Sequence, residues 1–373
     1  MENTCNQLLE YCLRGEPWPD GLLDRALGID DGRAFLSVVV ERLGDLFEPR
    51  LCETYNRLFR EVILHIAPDM APRLRDPKQR AVAPESASSV YVLSRVTLGA
   101  DVAVTSVMLG AAKRRYPGAE IVFVGPRKSY ELFAADPRIK HLPAPYARSG
   151  TLQDRLQASA SLWLEDGIVI DPDSRLSQLG LISVCDEHSY FHFPSRAYGG
   201  DGDESLMRLA ARWAHETFGV EDAKPYIAPL TSAEPPADIT VSLGVGENAA
   251  KCLDDPQERE LLRVLAETGA SILVDKGGSI EERERVERAL LPGMRTHDGA
   301  FAPFAALIAR SKLFVGYDSA GGHAASACGV PLISIAKGFV NRRMAARWRP
   351  NGVVLSESEV AQVPGLARKL LNI

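Results

Sequence analysis

The chain has 373 residues, 46% hydrophobic and 25% charged, with a net charge of −6 and a pI near 5.8. That length exceeds one ordinary core and predicts two or three domains, while the acidic balance gives no bulk attraction for nucleic acid, so any basic site must be local. Six cysteines at 5, 12, 52, 185, 252 and 328 form neither a CxxC pair nor a zinc spacing, which excludes a disulfide framework and predicts idle thiols in a reducing compartment.

The opening MENTCNQLLEYCLRGE lacks the basic-then-apolar order of a leader, and no run reaches the roughly 20 apolar residues of a membrane span. A cytoplasmic location is expected, with contact at the inner face of a membrane left open. Residues 1–85 carry helical periodicity (Leu8, Leu9, Tyr11 and Cys12; Phe35 to Leu46; Leu51 to Ile66) and close on APDMAPRLRDPKQRAVAPES, which reads as a linker. They predict a helical appendage suited to protein contacts. From Val90 the chain alternates: VYVLSR, a helix over 102–115, EIVFVG, helices near 129–135 and 151–164, GIVIDP and a helix over 204–218. After TSAEPPADI it restarts with ITVSLGVG, a helix over 256–268, SILVDKGG, helices over 281–290 and near 302–310, and a corner from Leu313 to Ile335. This alternation predicts an α/β protein whose two Rossmann-like halves, 86–228 and 229–373, face each other across a cleft. The loops after Arg95, Gly125, Gly244, Asp275 and Asp318, at the carboxyl ends of strands, should face that cleft.

The corner, LFVGYDSAGGHAASACGVPLISI, runs strand, glycine-rich turn, short helix, strand. Asp318, Ser319, Ala320, Gly321 and Gly322 open a small-residue helix whose free N–H groups and dipole suit an anion. His323 in its first turn is either a phosphate donor or a satisfied structural residue. Lys251, after GVGEN with its Gly244 and Gly246, is a cation for phosphate or a solvated surface lysine. Lys276 lies in the DKGGS loop, which lines a nucleotide pocket or simply turns the chain. Basic clusters at Arg127-Lys128 and at Lys337, Arg342, Arg343, Arg347 and Arg349 around Trp348 face an anionic ligand or solvent. His188 and His192 lack further ligands, so no metal is expected. GVGENAA lacks the third glycine of a dinucleotide fingerprint.

Three ordered stretches resemble glycosyltransferase family nine, the lipopolysaccharide heptosyltransferases of bacteria. They are the corner, which looks like the family's D-[ST]-G-x-x-H-x-A-A followed by a glycine and a proline, SRVTLGADVAVTSVMLGAAKRRYPGAEIVFVG, and ITVSLGVGENAAKCL. Together they cover about 90–350 and leave 1–85 outside. The resemblance implies a GT-B fold and an inverting, metal-independent transfer of a heptose-like sugar from a nucleotide diphosphate sugar, with an ADP-sugar favoured, to a glycan or glycolipid acceptor, without a cofactor. It also implies that Asp101 is the base, that Lys251 and the Ser319–Gly322 turn neutralise the diphosphate, and that Asp318 orders the sugar or the loop. Read from the residues alone, Asp101 serves equally as a helix cap. Two positions depart from the family: Ala100 intervenes between the glycine and Asp101, and Ala320 stands where glycine is preferred. A non-catalytic nucleotide-sugar-binding protein and a nucleotide-sugar epimerase or hydrolase therefore stand as alternatives.

Overall fold

A computed structural model describes residues 2–76, 82–148, 150–246 and 249–373. The first sheet holds β1 (Ser89–Leu93), β2 (Glu120–Gly125), β3 (Ile139–Pro143), β4 (Ile168–Asp171) and β5 (Tyr190–His192), in the order β3-β2-β1-β4-β5. The second holds β6 (Ile239–Ser242), β7 (Ile272–Asp275), β8 (Arg295–His297), β9 (Leu313–Tyr317), β10 (Leu332–Ala336) and β11 (Val353–Ser356), in the order β11-β10-β9-β6-β7-β8. All these pairings are parallel. Helices cover both faces of such sheets, so the central strands read as unbroken apolar runs such as IVID and LFVGY, every residue buried. The expected α/β architecture of two Rossmann-like halves is present, and no helix among the described residues is long and apolar enough to cross a membrane.

The helix expected over 102–115 starts earlier. It opens at Leu98–Ala100, widens into a π-helical turn at Asp101–Thr105 and continues as Ser106–Arg115. Asp101 therefore sits inside the helix rather than ahead of it.

Residues 1–85 form helices as expected, at Glu2–Arg14, Leu22–Leu27, a run from Arg33 to Asp45 with a π turn at Leu36–Val40, and Pro49–Ile66. They are not a detached appendage. Their apolar faces share one core with Leu152, Leu156, Leu179, Leu181 and Ile182 of the first half. Nor is the proline-rich stretch wholly a loose linker. Pro68–Arg73 is a 3-10 helix, and Arg73 donates to the carbonyls of Ala160, Leu162 and Ser183. Burying a guanidinium against three carbonyls fixes the entry of the chain into the first sheet.

Candidate active site

The N-terminal helices and both halves meet around a cavity of about 470 Å³, large enough for a small ligand. One wall is Leu36 to Phe47, carried by the N-terminal helices. The floor is Arg95, Val96, Thr97 and Ala100 after β1, and the far side is Val245, Gly246, Lys251 and Trp348. Six basic side chains line it (Arg95, Arg148, Arg155, Arg175, Arg196, Lys251) against three acidic ones (Glu41, Asp45, Asp173). In a chain of net charge −6, this concentrates positive potential at one place and suits an anion.

The arginines are held in place. Asp173 lies 3.1 Å from Arg196 and accepts from Ser195 Oγ at 2.8 Å. Burial opposes its ionisation, but Arg196, His192 and Arg95 outweigh burial and hold its carboxyl far below the ordinary range. Arg95 donates to Pro172 O and Ser195 Oγ and lies 5.8 Å over the Trp348 ring. Its Nε is buried with no hydrogen-bond partner, as is Gln178 Oε1 on the same cavity. Arg175 donates to Tyr55 Oη at 2.7 Å and so braces the N-terminal helices against the first half.

Backbone strain gathers at the same place. Val96 has φ +61° and Phe47 φ +53°, conformations that cost a β-branched or bulky residue about 1–3 kcal/mol. Both line the cavity. Val96 is held by its N–H bond to Ser94 Oγ, and Phe47 by its ring contact with Trp348, 6.3 Å between centroids.

Asp101, which the resemblance makes the base, does not line the cavity. Its carboxylate is fully buried and accepts from Ser94 Oγ at 2.7 Å, from the Arg95 N–H at 2.7 Å and from Thr105 Oγ1 at 2.7 Å. Burial pushes its pKa up, and those hydrogen bonds only partly oppose it. It ties the end of β1 to the following helix.

On the other half, Lys251 reaches Asp318 Oδ2 at 2.6 Å and the Asp318 carbonyl at 3.1 Å, which joins two of the expected donor residues in one contact. Gly321 and Gly322 are buried in the first turn of the Ala320–Cys328 helix, capped by Ser319 without a side-chain bond. That turn lies against the first half: a side chain added at Gly99 would begin 3.1 Å from His323 Cδ2 and 3.5 Å from Ala320 Cα. His323 is buried, which lowers its pKa, and packs edge-on to Trp348 at 5.9 Å. Asp318 opens instead on a neighbouring cavity of about 330 Å³, shared with Arg342 and Arg349. The loops after Arg95 and Gly244 line the main cavity, whereas those after Gly125 and Asp275 do not.

Several expected contacts fall elsewhere. Arg347 is 1% exposed and donates to the carbonyls of Gly200 and Glu204, while Arg343 donates to Phe47 O and pairs with Asp201. Both fasten halves of the molecule together instead of facing an acceptor. Lys276 is held by Glu287 at 3.1 Å and Asp298 at 3.8 Å, and Arg127 pairs with Glu131 on the surface beside exposed Lys128. His188 is exposed and His192 buried against Asp173, and among the described residues no three metal-ligating side chains cluster. Glu247 and Asn248 of GVGEN lie outside the described residues.

Sequence reasoning missed Glu282. Its carboxylate accepts the N–H groups of Val245 and Gly246 at 2.9 Å and of Gly278 at 2.9 Å, so one side chain gathers the loops after β6 and β7. It also missed Asp45, Arg175 and Arg196, which no local motif marks.

Residues 221–357 match the sequence model for Glycosyltransferase family 9 (heptosyltransferase). The fold is similar to that of the glycosyl transferase family 9 protein from Veillonella parvula, at 16% identity and TM-score 0.56, covering 78% of this chain and 99% of that one. It is similar also to E. coli ADP-heptose lps heptosyltransferase II, at 16% identity and TM-score 0.53, covering 76% and 97%. A third is E. coli heptosyltransferase WaaC with ADP-2-deoxy-2-fluoro heptose, at 15% identity and TM-score 0.53, covering 76% and 99%. At such identities the likeness speaks for the fold. No curated protein matches the chain. The family match thus lies across the half that holds Lys251, Asp318 and the glycine corner, and the two Rossmann-like halves share the fold of solved family 9 glycosyltransferases.

Proposed function

We propose that the protein transfers a heptose-like sugar from an ADP-sugar to the hydroxyl of a glycan or glycolipid acceptor, with inversion and without a metal. The observation that carries this reading is the basic cavity at the meeting of the two halves, set beside the Lys251–Asp318 pair. An inverting transfer needs one face of the anomeric carbon open to the acceptor and the diphosphate neutralised on the other. Without a metal, neutralisation falls to cations, and Lys251 with the arginines of the cavity supplies them. E. coli WaaC has been seen with ADP, which supports the choice of nucleotide. The acceptor would approach from the side of the N-terminal helices, at the inner face of a membrane if it is a glycolipid.

The burial of Asp101 favours a second reading, nucleotide-sugar binding without transfer. Calorimetric titration with ADP, UDP, GDP and dTDP tests the first step. Selective binding of ADP, weakened about tenfold or more in Lys251→Ala, is expected for a charge-assisted phosphate contact. Binding of none of the four would sink the reading. Release of ADP from ADP-heptose then separates transfer from mere binding.

A further inference from the structure

Three carboxylates line the cavity, and two of them are accounted for. Asp173 is consumed by Arg196, Ser195 and His192, and Glu41 lies exposed at the rim. Asp45 is half-buried on the cavity wall, at the end of the helix Glu41–Asp45, and its carboxylate makes no hydrogen bond or ion pair among the described residues. Arg175 passes 3.6 Å from where a side chain on the adjacent Gly44 would begin. The chain just after Asp45 is fixed from the opposite half: Asn341 Nδ2 donates to Leu46 O at 3.3 Å, and Arg343 Nη1 to Phe47 O at 3.1 Å, holding Phe47 at its strained φ. A free carboxylate with a pinned backbone, placed where three parts of the molecule meet, is positioned for chemistry.

We infer that Asp45, brought to the cleft by the N-terminal helical region, is the base of the transfer. The inference rests on the glycosyl-transfer reading above. The acceptor oxygen bonds to the anomeric carbon, and the bond from that carbon to the diphosphate oxygen breaks with its electron pair remaining on the diphosphate. The hydroxyl proton passes to a carboxylate oxygen of Asp45. Glu41 and Arg42 face Asp45 from its own helix, Arg175 from the turn after β4, and Lys251 from the second half. Burial lifts its carboxyl to about 6, with Arg175 opposing, so it is ionised yet still basic at neutral pH.

The test uses the full chain with ADP-heptose, and with water or a core-oligosaccharide mixture as acceptor. ADP release is followed from about pH 5 to about pH 9 and ADP affinity is measured by calorimetry. Wild type should lose rate below about pH 6. Asp45→Asn should lose roughly 100-fold or more of the rate together with the acid limb, keep ADP affinity within about twofold, and melt no lower than wild type. Asp45→Glu should recover part of the rate. Full turnover in Asp45→Asn, or parallel loss of turnover and ADP affinity, overturns the assignment while leaving glycosyl transfer standing. A wild type that binds ADP-heptose and releases no ADP with either acceptor overturns the glycosyl-transfer reading and this assignment with it.

Discussion

Asp101 and Asp45 divide between them what one aspartate was expected to do. Asp101 gathers three donors where no water reaches, so Asp101→Ala leaves Ser94, Thr105 and the Arg95 N–H without their acceptor. A loss of about 3 kcal/mol is expected, read as a lower denaturant midpoint with an unchanged slope, whereas Asp101→Asn keeps the shape and should lose about 1 kcal/mol. Asp45 behaves oppositely. Its folded pKa is raised, so the folded chain holds the proton more tightly than the unfolded one. The stability it contributes is full below the unfolded value and is lost as pH rises through about 6. Asp45→Asn should therefore raise the melting temperature clearly at about pH 7.5 and by much less at about pH 4.5; equal shifts at both would refute the raised pKa. Neither role could be read from the sequence. G-A-D marks a carboxylate after a strand, but which way it turns depends on Ser94, on Thr105 and on the helix beginning three residues earlier, at Leu98. Asp45 has no motif at all, because the cations that face it come from residues 175 and 251.

At the scale of elements, hydrophobic rhythm served well where it was long. The central strands are buried on both faces and so are written as apolar runs, and the helices Leu206–Phe218 and Asp255–Ala266 lie close to their expected spans. The three-residue strands β5 and β8 and the π turns carry too little pattern to be read. The helix Arg342–Trp348 was legible only as a basic cluster, and a charge run does not disclose which side meets protein; Arg347 proves buried. Among the described glycines, the closest approach is at Gly125, the last residue of β2. A side chain there would begin 2.3 Å from Ser94 Cβ. Gly125→Ala must push β1 and β2 apart at their carboxyl ends and displace the hydroxyl that Asp101 accepts from, and about 2 kcal/mol of destabilisation is expected from thermal or urea melts. A neutral outcome would mean that the strand ends yield easily.

For the whole molecule, GT-B halves that close on a ligand need somewhere to bend, and we propose a hinge within residues 225–237. Ala228 exchanges backbone bonds with Leu132 and Ala135 of the first half, while Arg310 holds Ser232 O and His297 holds Glu234 on the second. Residues 229–231 lie between these anchors, with Leu230 65% exposed. Closure would have to reckon with the latch formed by Arg347 on Gly200 and Glu204 and by Arg343 on Phe47 and Asp201. Arg347→Ala should loosen it, enlarging the ligand-free radius of gyration in X-ray scattering while ADP-heptose still draws the halves together. Identical profiles for variant and wild type, with and without donor, would argue against both latch and hinge. The latch also bears on how the protein is made. Leu46 and Phe47 are synthesised 295 and 296 residues before Asn341 and Arg343, which secure them. The N-terminal helices can bury their own core while translation continues, but the wall that presents Asp45 gains its fastening from Asn341 and Arg343 only once those residues have left the ribosome.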